Sequence, residues 1–327
     1  MLYNSVDIIK KYEKPVLTYK DIPYEAALIF NAGVAKIGDK YVMLFRNDYG
    51  DPVNKIIRPA VTDLRVAFSD DGINWSVQPK PILEELKNDD IIRAYDPRIT
   101  VIEDKAYVCF AVDTYHGVRC GIAVTEDFEK FEVLSLSVPD NRNIVLFPEK
   151  INGMYTRLER PMAMDGRSWL TPGYDVWMQQ SKDLKFWGNA NIVLRNEEVE
   201  FSNEKIGPAA PPIKTEKGWL TLFHAVYRDK TLGKNGWEDK WDRIYYAGVM
   251  LLDLNDPTKV IGRYEKPLIV PENQNEVANG FRNNVIFPGG MVLEDNGEVK
   301  IYYGAADAVE CVAITTVDEL LDLVTEE

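Results

Sequence analysis

Along this chain the hydrophobic and polar positions alternate in short runs rather than with a helical period. Four segments share one order: "AGVAKIGDKYVMLFRND" from residue 32, "PRITVIEDKAYVCFAVD" from 97, "PPIKTEKGWLTLFHAVY" from 211 and "GGMVLEDNGEVKIYYGAAD" from 289. Each begins with small residues or prolines and passes through a short apolar stretch. It then turns on Gly, Asp or Lys and leaves on β-branched and aromatic residues, which predicts a β-hairpin. A further strand and a Ser, Thr or Asp turn follow. These are "LRVAFSDDGINW" ending at Trp75, "CGIAVTEDFEKFE" at Glu132, "DVWMQQSKDLKFW" at Trp187, "YYAGVMLLDLNDPTKV" at Val260 and "CVAITTVDELLDL" at Leu323. The middle of the chain is the least regular, and "NIVLFPEKINGMYTRLERP" supplies its first hairpin.

Two hairpins per unit, in five units of roughly 40 to 65 residues, describe four-stranded sheets repeated around an axis. Such sheets bury their faces only against their neighbours, so the ring must close. The expected fold is all-β: one five-bladed β-propeller domain over residues 1–327 with a short C-terminal helix at "VDELLDLV", 317–324. "PILEELKNDDIIR" at 81–93 reads as a connecting turn, and residues 228–243 as a loop at the rim. A β-sandwich would also hold hairpins, but it lacks a fivefold internal likeness.

In a propeller the ends of the inner strands share a central funnel. At such positions the first unit offers Asn31 and Arg46, and the second Asp96 and Asp113. The third offers Arg142, Asn143, Arg157 and Arg160, the fourth Lys205 and His224, and the fifth Asp307. Cations converging in a pocket can hold a dianion such as phosphate, with arginine forks gripping its oxygens in pairs. A carboxylate opposite can donate a proton to a leaving group. The same cations depress that acid's pKa, so it needs desolvation or a proton relay through the substrate. Any one of these arginines alone reads more readily as half of a structural salt bridge. Their recurrence at equivalent positions favours a site.

The segment "RAYDPRIT" at 93–100 sets Asp96 between Arg93 and Arg98, which serve the pocket or tie the loop. Tyr95, Tyr115, Tyr227, Tyr245, Tyr246, Trp237 and Trp241 group near the funnel or on its loops. Most of them belong to packing between blades. "WEDKW" at 237–241 is the expected sugar-binding platform, because its tryptophans sit among charges after Gly236.

Composition narrows the partners. With 38 basic and 52 acidic residues the net charge is −14, which argues against nucleic acid and anionic membranes. An anionic ligand therefore requires a local cationic cluster. No apolar run approaches the ~20 residues of a membrane span, and the N-terminus lacks a signal-peptide pattern. Cys109, Cys120 and Cys311 have no framework spacing and read as reduced thiols in a cytoplasmic protein, with Cys109 and Cys311 as small core residues. Two isolated histidines, His116 and His224, without CxxC or HExxH, give no expectation of a metal. No Walker, GxGxxG or GxSxG pattern is present, and no cofactor is expected.

Eight motifs, in order, carry a resemblance: "FNAG" at 30, "YDPR" at 95, "RN" at 142, "RLERP" at 157, "KIGPAAPPIKTEKGW" at 205, "FHAV" at 223, "NVIFPGG" at 284 and "YYGAAD" at 302. Together they make the chain similar to the glycoside hydrolase family 130 phosphorylases, which cleave β-mannosides with inorganic phosphate. The resemblance implies a five-bladed propeller and inverting phosphorolysis to α-mannose 1-phosphate, with phosphate as co-substrate. It implies Asp96 as proton donor, acting through a hydroxyl of the bound mannose. Arg142, Asn143, Arg160, Lys205 and His224 would form the phosphate pocket, and Asn31, Arg46 and Asp307 would contact the mannosyl ring. Arg157 lies in the same short motif as Arg160 and stays unassigned. One family branch hydrolyses and lacks the basic pocket, whereas this sequence keeps its cations.

Two alternatives stand beside this reading. A glycosidase would need a second carboxylate in the pocket, at Asp113, Glu159 or Asp307. A non-catalytic sugar-binding propeller would need none. The acceptor sugar and its β-1,4 or β-1,2 linkage are open. Oligomeric state is open as well, since the extra loops and termini leave room for a homo-oligomer.

Overall fold

The computed structural model describes residues 3–86, 90–162, 174–238 and 240–325. Residues 87–89 of the expected connecting turn and Asp239 of "WEDKW" lie outside them. Strands gather into five antiparallel sheets whose order follows the chain. Blade one runs from Leu28–Ile37 through Lys40–Asp51 and Ile56–Ser69 to Ser76–Ile82. Blades two and three open with inner strands Ile91–Ile102 and Asn141–Leu146. Blades four and five open with Lys205–Pro208 and Ile286–Leu293. The inner strands of blades five, one, two, three and four contact one another in turn, and that of blade five meets blade four through strands Trp219–Arg228 and Arg243–Leu252.

The apolar core is divided in the way a ring of sheets demands. One buried layer lies at each blade interface. Ile99, Val108 and Leu64 join blades one and two, and Cys109, Ile122 and Leu146 join two and three. Leu158, Met178 and Phe223 join three and four, Leu222, Val249 and Ile301 join four and five, and Met43, Tyr302 and Val312 close five onto one. No sheet has a private core, so no blade is stable without the next. All three cysteines are free and buried, and desolvation pushes the thiols of Cys109 and Cys120 up to about 12.

The closing device escaped the sequence pattern. A two-residue strand, Lys10–Lys11, pairs with Val309–Thr316 as the outermost strand of blade five. Lys11 also pairs with buried Glu276 at 2.8 Å, and Tyr303 donates to the same carboxylate at 2.8 Å. The N-terminus is thereby locked to the last blade. The C-terminal helix forms as expected, at Val317–Thr325, with Leu320, Leu321 and Val324 buried beneath it. One turn of helix at Gln274–Val277 was not expected.

Candidate active site

Apart from a further break between Ile91 and Arg93 in blade two, the inner strands of blades one, two and three each break register at one place. The breaks fall between Phe30 and Gly33, Tyr95 and Arg98, and Arg142 and Val145. At each bulge sits one residue with positive φ: Asn31 at 55°, Asp96 at 52° and Asn143 at 59°. Asparagine and aspartate tolerate this left-handed conformation better than other side-chain-bearing residues. A bulge re-aims its side chain out of the strand's alternation. Three blades thus use one backbone device to turn a polar side chain into the central well. Blade four solves the same crowding differently. A Cβ on Gly207 would lie 2.6 Å from the His224 ring and 3.2 Å from Arg160 Cδ, so only glycine leaves room for both.

The well is a polar funnel with a cavity volume of about 80 Å³. Eight of the nine expected residues line it: Asn31, Arg46, Asp96, Arg142, Asn143, Arg160, Lys205 and Asp307. Tyr245, Arg282, Val285 and Phe287 complete the wall. His224 is the exception. It is 0 % exposed and lies behind the wall, where its Nε2 accepts from Arg160 Nη1 at 2.8 Å and faces Asn143 Nδ2 at 3.3 Å. An arginine cannot accept, so the ring's proton belongs on Nδ1. Burial, with Arg160, Lys205 and Arg98 nearby, holds the imidazole well below its ordinary pKa. His224 is neutral and orients the two residues in front of it.

Arg157 separates cleanly from Arg160. The two lie three apart on strand Tyr155–Pro161, so they face opposite sides. Arg157 pairs with Glu159 at 2.6 Å and stacks on Trp187, away from the funnel. Glu159 is spent there, and also accepts from Asn141 at 2.9 Å. Asp113 is spent on Arg93 and the Tyr95 hydroxyl, each at 2.6 Å. Of the three candidate second carboxylates, Asp307 alone reaches the wall. Arg98 is structural: it donates to the carbonyls of Ala209, Pro97 and Pro288 at 2.8, 2.7 and 3.4 Å, tying blades two, four and five at the axis.

Asp96 is 7 % exposed and meets both halves of the site. Asn31 Nδ2 donates to its Oδ1 at 3.0 Å and Arg142 to its Oδ2 at 3.4 Å, while Arg46 lies 3.7 Å away. Burial opposes its charge, but Arg46, Arg142 and Arg98 outweigh burial and hold the carboxyl below its usual range. Beneath them the Tyr95 ring carries the guanidinium groups of Arg46, Arg93 and Arg142 at 5.2, 5.2 and 5.0 Å. Asp307 differs: burial dominates over Arg282 and Arg46, and its carboxyl is raised.

The expected aromatic platform is not free. Trp241 is 6 % exposed, stacks on Tyr245 at 5.8 Å and donates to the Asn283 carbonyl at 3.0 Å. Trp237 is partly buried against Phe30 and Leu28. Among the other aromatic candidates Tyr246 is core, Tyr115 is exposed, and Tyr245 alone faces the funnel. Arg282 was missed, because it sits on a connecting segment with no strand pattern. Its signal was the motif just after it, "NVIFPGG", whose Val285 and Phe287 also line the wall. Among the described residues no group of three or more His, Cys, Asp or Glu is placed to hold a metal ion, and no helix is long and apolar enough to cross a membrane.

The comparison with known proteins agrees with this ring. The profile of glycoside hydrolase family 130, described as beta-1,4-mannooligosaccharide phosphorylase, matches residues 3–326. The chain is 32 % identical over 330 residues to beta-1,4-mannooligosaccharide phosphorylase of Ruminococcus albus, covering 97 % of this chain and 91 % of that one. It is 30 % identical to 1,2-beta-oligomannan phosphorylase of a Thermoanaerobacter species, covering 94 % and 97 %. The solved beta-1,2-mannobiose phosphorylase from Listeria innocua, in complex with beta-1,2-mannobiose, superposes with a TM-score of 0.82 at 27 % identity over 98 % and 99 % of the two chains. By sequence, by ring architecture and by the extent of both matches, this chain belongs to glycoside hydrolase family 130.

Proposed function

We propose that the protein is an inverting phosphorylase of β-mannosides that releases α-mannose 1-phosphate. The observation that carries this reading is Arg160. It is 4 % exposed, its hydrogen-bond partner is a neutral histidine, and among the described residues no carboxylate pairs with it. Burial and the repulsion of Arg142 lower its pKa to about 10, yet it remains charged at neutral pH. Among the described residues the buried Nε–H groups of Arg142 and Arg160 also find no acceptor. Buried cations without counter-charges are costly, and a bound dianion relieves that cost.

In this reading phosphate is held by Arg142, Asn143, Arg160 and Lys205, in line with the anomeric carbon. A phosphate oxygen forms the new bond to that carbon as the glycosidic C–O bond breaks on the opposite face, with inversion. Asp96 supplies the proton that the leaving oxygen takes, through a mannosyl hydroxyl. Phosphate is already a nucleophile and needs only to be positioned, so one acid suffices. Arg142 contacts the acid and belongs to the anion wall. A dianion there offsets one of the charges that depress Asp96, so phosphate binding favours the protonated acid that the next step requires. Asn31, Arg46 and Asp307 hold the mannosyl ring, and His224 acts from behind by orienting Arg160. No metal or organic cofactor takes part.

The test is phosphate dependence. β-1,4- and β-1,2-mannobiose are incubated with and without phosphate, and mannose 1-phosphate and mannose are measured. Equal consumption without phosphate, with free mannose as product, replaces this reading by hydrolysis with Asp307 as the second carboxylate. A reducing cytoplasm suits three buried free thiols, and the net charge of −14 suits a partner list without nucleic acid.

A further inference from the structure

The loop before strand Arg243–Leu252 of blade four is sewn to the segment that leads into blade five. Trp237 N donates to the Phe281 carbonyl at 2.9 Å, and Asn283 N to the Asn235 carbonyl at 3.1 Å. Gly236, with φ of 124°, lets the two backbones touch, since a Cβ there would sit 2.3 Å from the Phe281 oxygen. This seam presents Arg282 to the funnel. Its Nε and Nη2 donate to the two oxygens of Glu238 at 2.8 and 3.1 Å, and its plane rests on Trp241 at 4.6 Å and Phe281 at 5.0 Å. The remaining nitrogen, Nη1, reaches Asp307 Oδ2 at 3.3 Å.

We infer that Arg282 is a positioning residue for Asp307, and that Glu238, Arg282 and Asp307 form a relay through which the blade-four loop sets the sugar-binding end of the site. The inference rests on the proposed mannoside-binding role of Asp307. A bidentate carboxylate and two ring faces immobilise the guanidinium, so its last donor fixes the carboxylate it meets. Asp307 faces three charged groups: Arg282, Arg46 and Asp96. Ionised, it accepts hydrogen bonds from sugar hydroxyls at both oxygens and more strongly than the neutral acid does, and burial works against that charge. Arg282 is the larger of the two opposing influences. Removing it raises the Asp307 pKa further, so the stronger, ionised acceptor gives way to the neutral acid at a higher pH than in the wild type. The loop thus tunes sugar recognition with no wall position among its described residues, because Glu238 and Trp241 act through Arg282.

The test compares Arg282→Gln, Arg282→Lys and Glu238→Gln in the intact protein. Steady-state phosphorolysis of β-mannobiose is measured across pH, with KM for mannoside and for phosphate determined separately. Arg282→Gln is expected to raise the mannoside KM by about tenfold or more while leaving the phosphate KM within about threefold. The acid limb of the mannoside KM profile should move to higher pH. Arg282→Lys should recover part of the loss, and Glu238→Gln should shift the same quantity by a smaller factor. An unchanged mannoside KM, or a phosphate KM rising in step with it, overturns the relay. So does a lysine variant no better than glutamine. If the wild type shows no phosphate-dependent turnover, the functional reading fails separately. The relay is then judged by calorimetric binding of mannose, where equal affinity in wild type and Arg282→Gln across pH overturns it.

Discussion

The two ends of the funnel are built from the same residue types and differ in bookkeeping of charge. At the end lined by Asn31, Arg46 and Asp307 every guanidinium is matched. Arg46 makes a two-point bond to Asp48 at 2.8 and 2.7 Å, and Arg282 does the same with Glu238. At the other end the cations are left over. Arg160 leans on a neutral imidazole, and Arg142 has one 3.4 Å contact with Asp96. Lys205 lies 3.4 Å from Glu204, a carboxylate that Arg243 already holds at 2.8 Å. A matched end suits a neutral polyol, which needs oriented donors and acceptors and no net field. An unmatched end suits an anion. Asp96 stands at the boundary, held by Asn31 from one side and Arg142 from the other.

The largest expected effect is at the boundary. Asp96→Asn should lower kcat by about 10²–10⁴-fold while mannose still binds, as measured by turnover and calorimetry. Full activity in that variant would leave the two halves without the acid between them. Next, Arg160→Gln and Lys205→Ala should each cost about 1.5–3 kcal/mol in kcat/KM for phosphate and leave the mannoside KM nearly unchanged. Equal damage to both substrates would erase the division. A smaller effect is thermodynamic. Phosphate at about 100 times its Kd should stabilise the wild type by about 2.7 kcal/mol in a urea titration, and Arg160→Gln should lose most of that gain. The smallest effect is in pH. An acid must be protonated, so activity falls as pH rises through the Asp96 pKa, which is depressed in the free protein. Saturating phosphate should move this falling limb of the profile upward, and a limb indifferent to phosphate would separate Arg142 from the anion.

Much of this was legible along the chain because strands write their pattern locally. Alternation at period two marks each hairpin, and five repeats of that mark require a ring. The asparagine and aspartate positions were legible as motif members, although the bulges that aim them leave no hydrophobic signature. Strand parity puts Arg157 and Arg160 on opposite sides, but only the contacts with Glu159 and Trp187 show that Arg157 is the one turned away. Trp241 misled, because its charged neighbours suggested solvent, while Glu238 turned out to be the partner that buries Arg282 against the tryptophan.

By itself the sequence determined the blade count, the all-β class and a set of polar residues recurring from blade to blade, since these follow from local periodicity and residue chemistry; it did not show that Arg46, Arg160 and His224 stand on second strands rather than inner ones. Only the tertiary structure decided which charges are neutralised. Arg157 finds Glu159 and Arg46 finds Asp48, while Arg160 finds no carboxylate among the described residues. A guanidinium carries the same charge wherever it lies in the chain. Whether that charge is free to hold a ligand depends on neighbours brought together across blades, and on a two-residue N-terminal strand, too short to carry a pattern, that closes the ring around them.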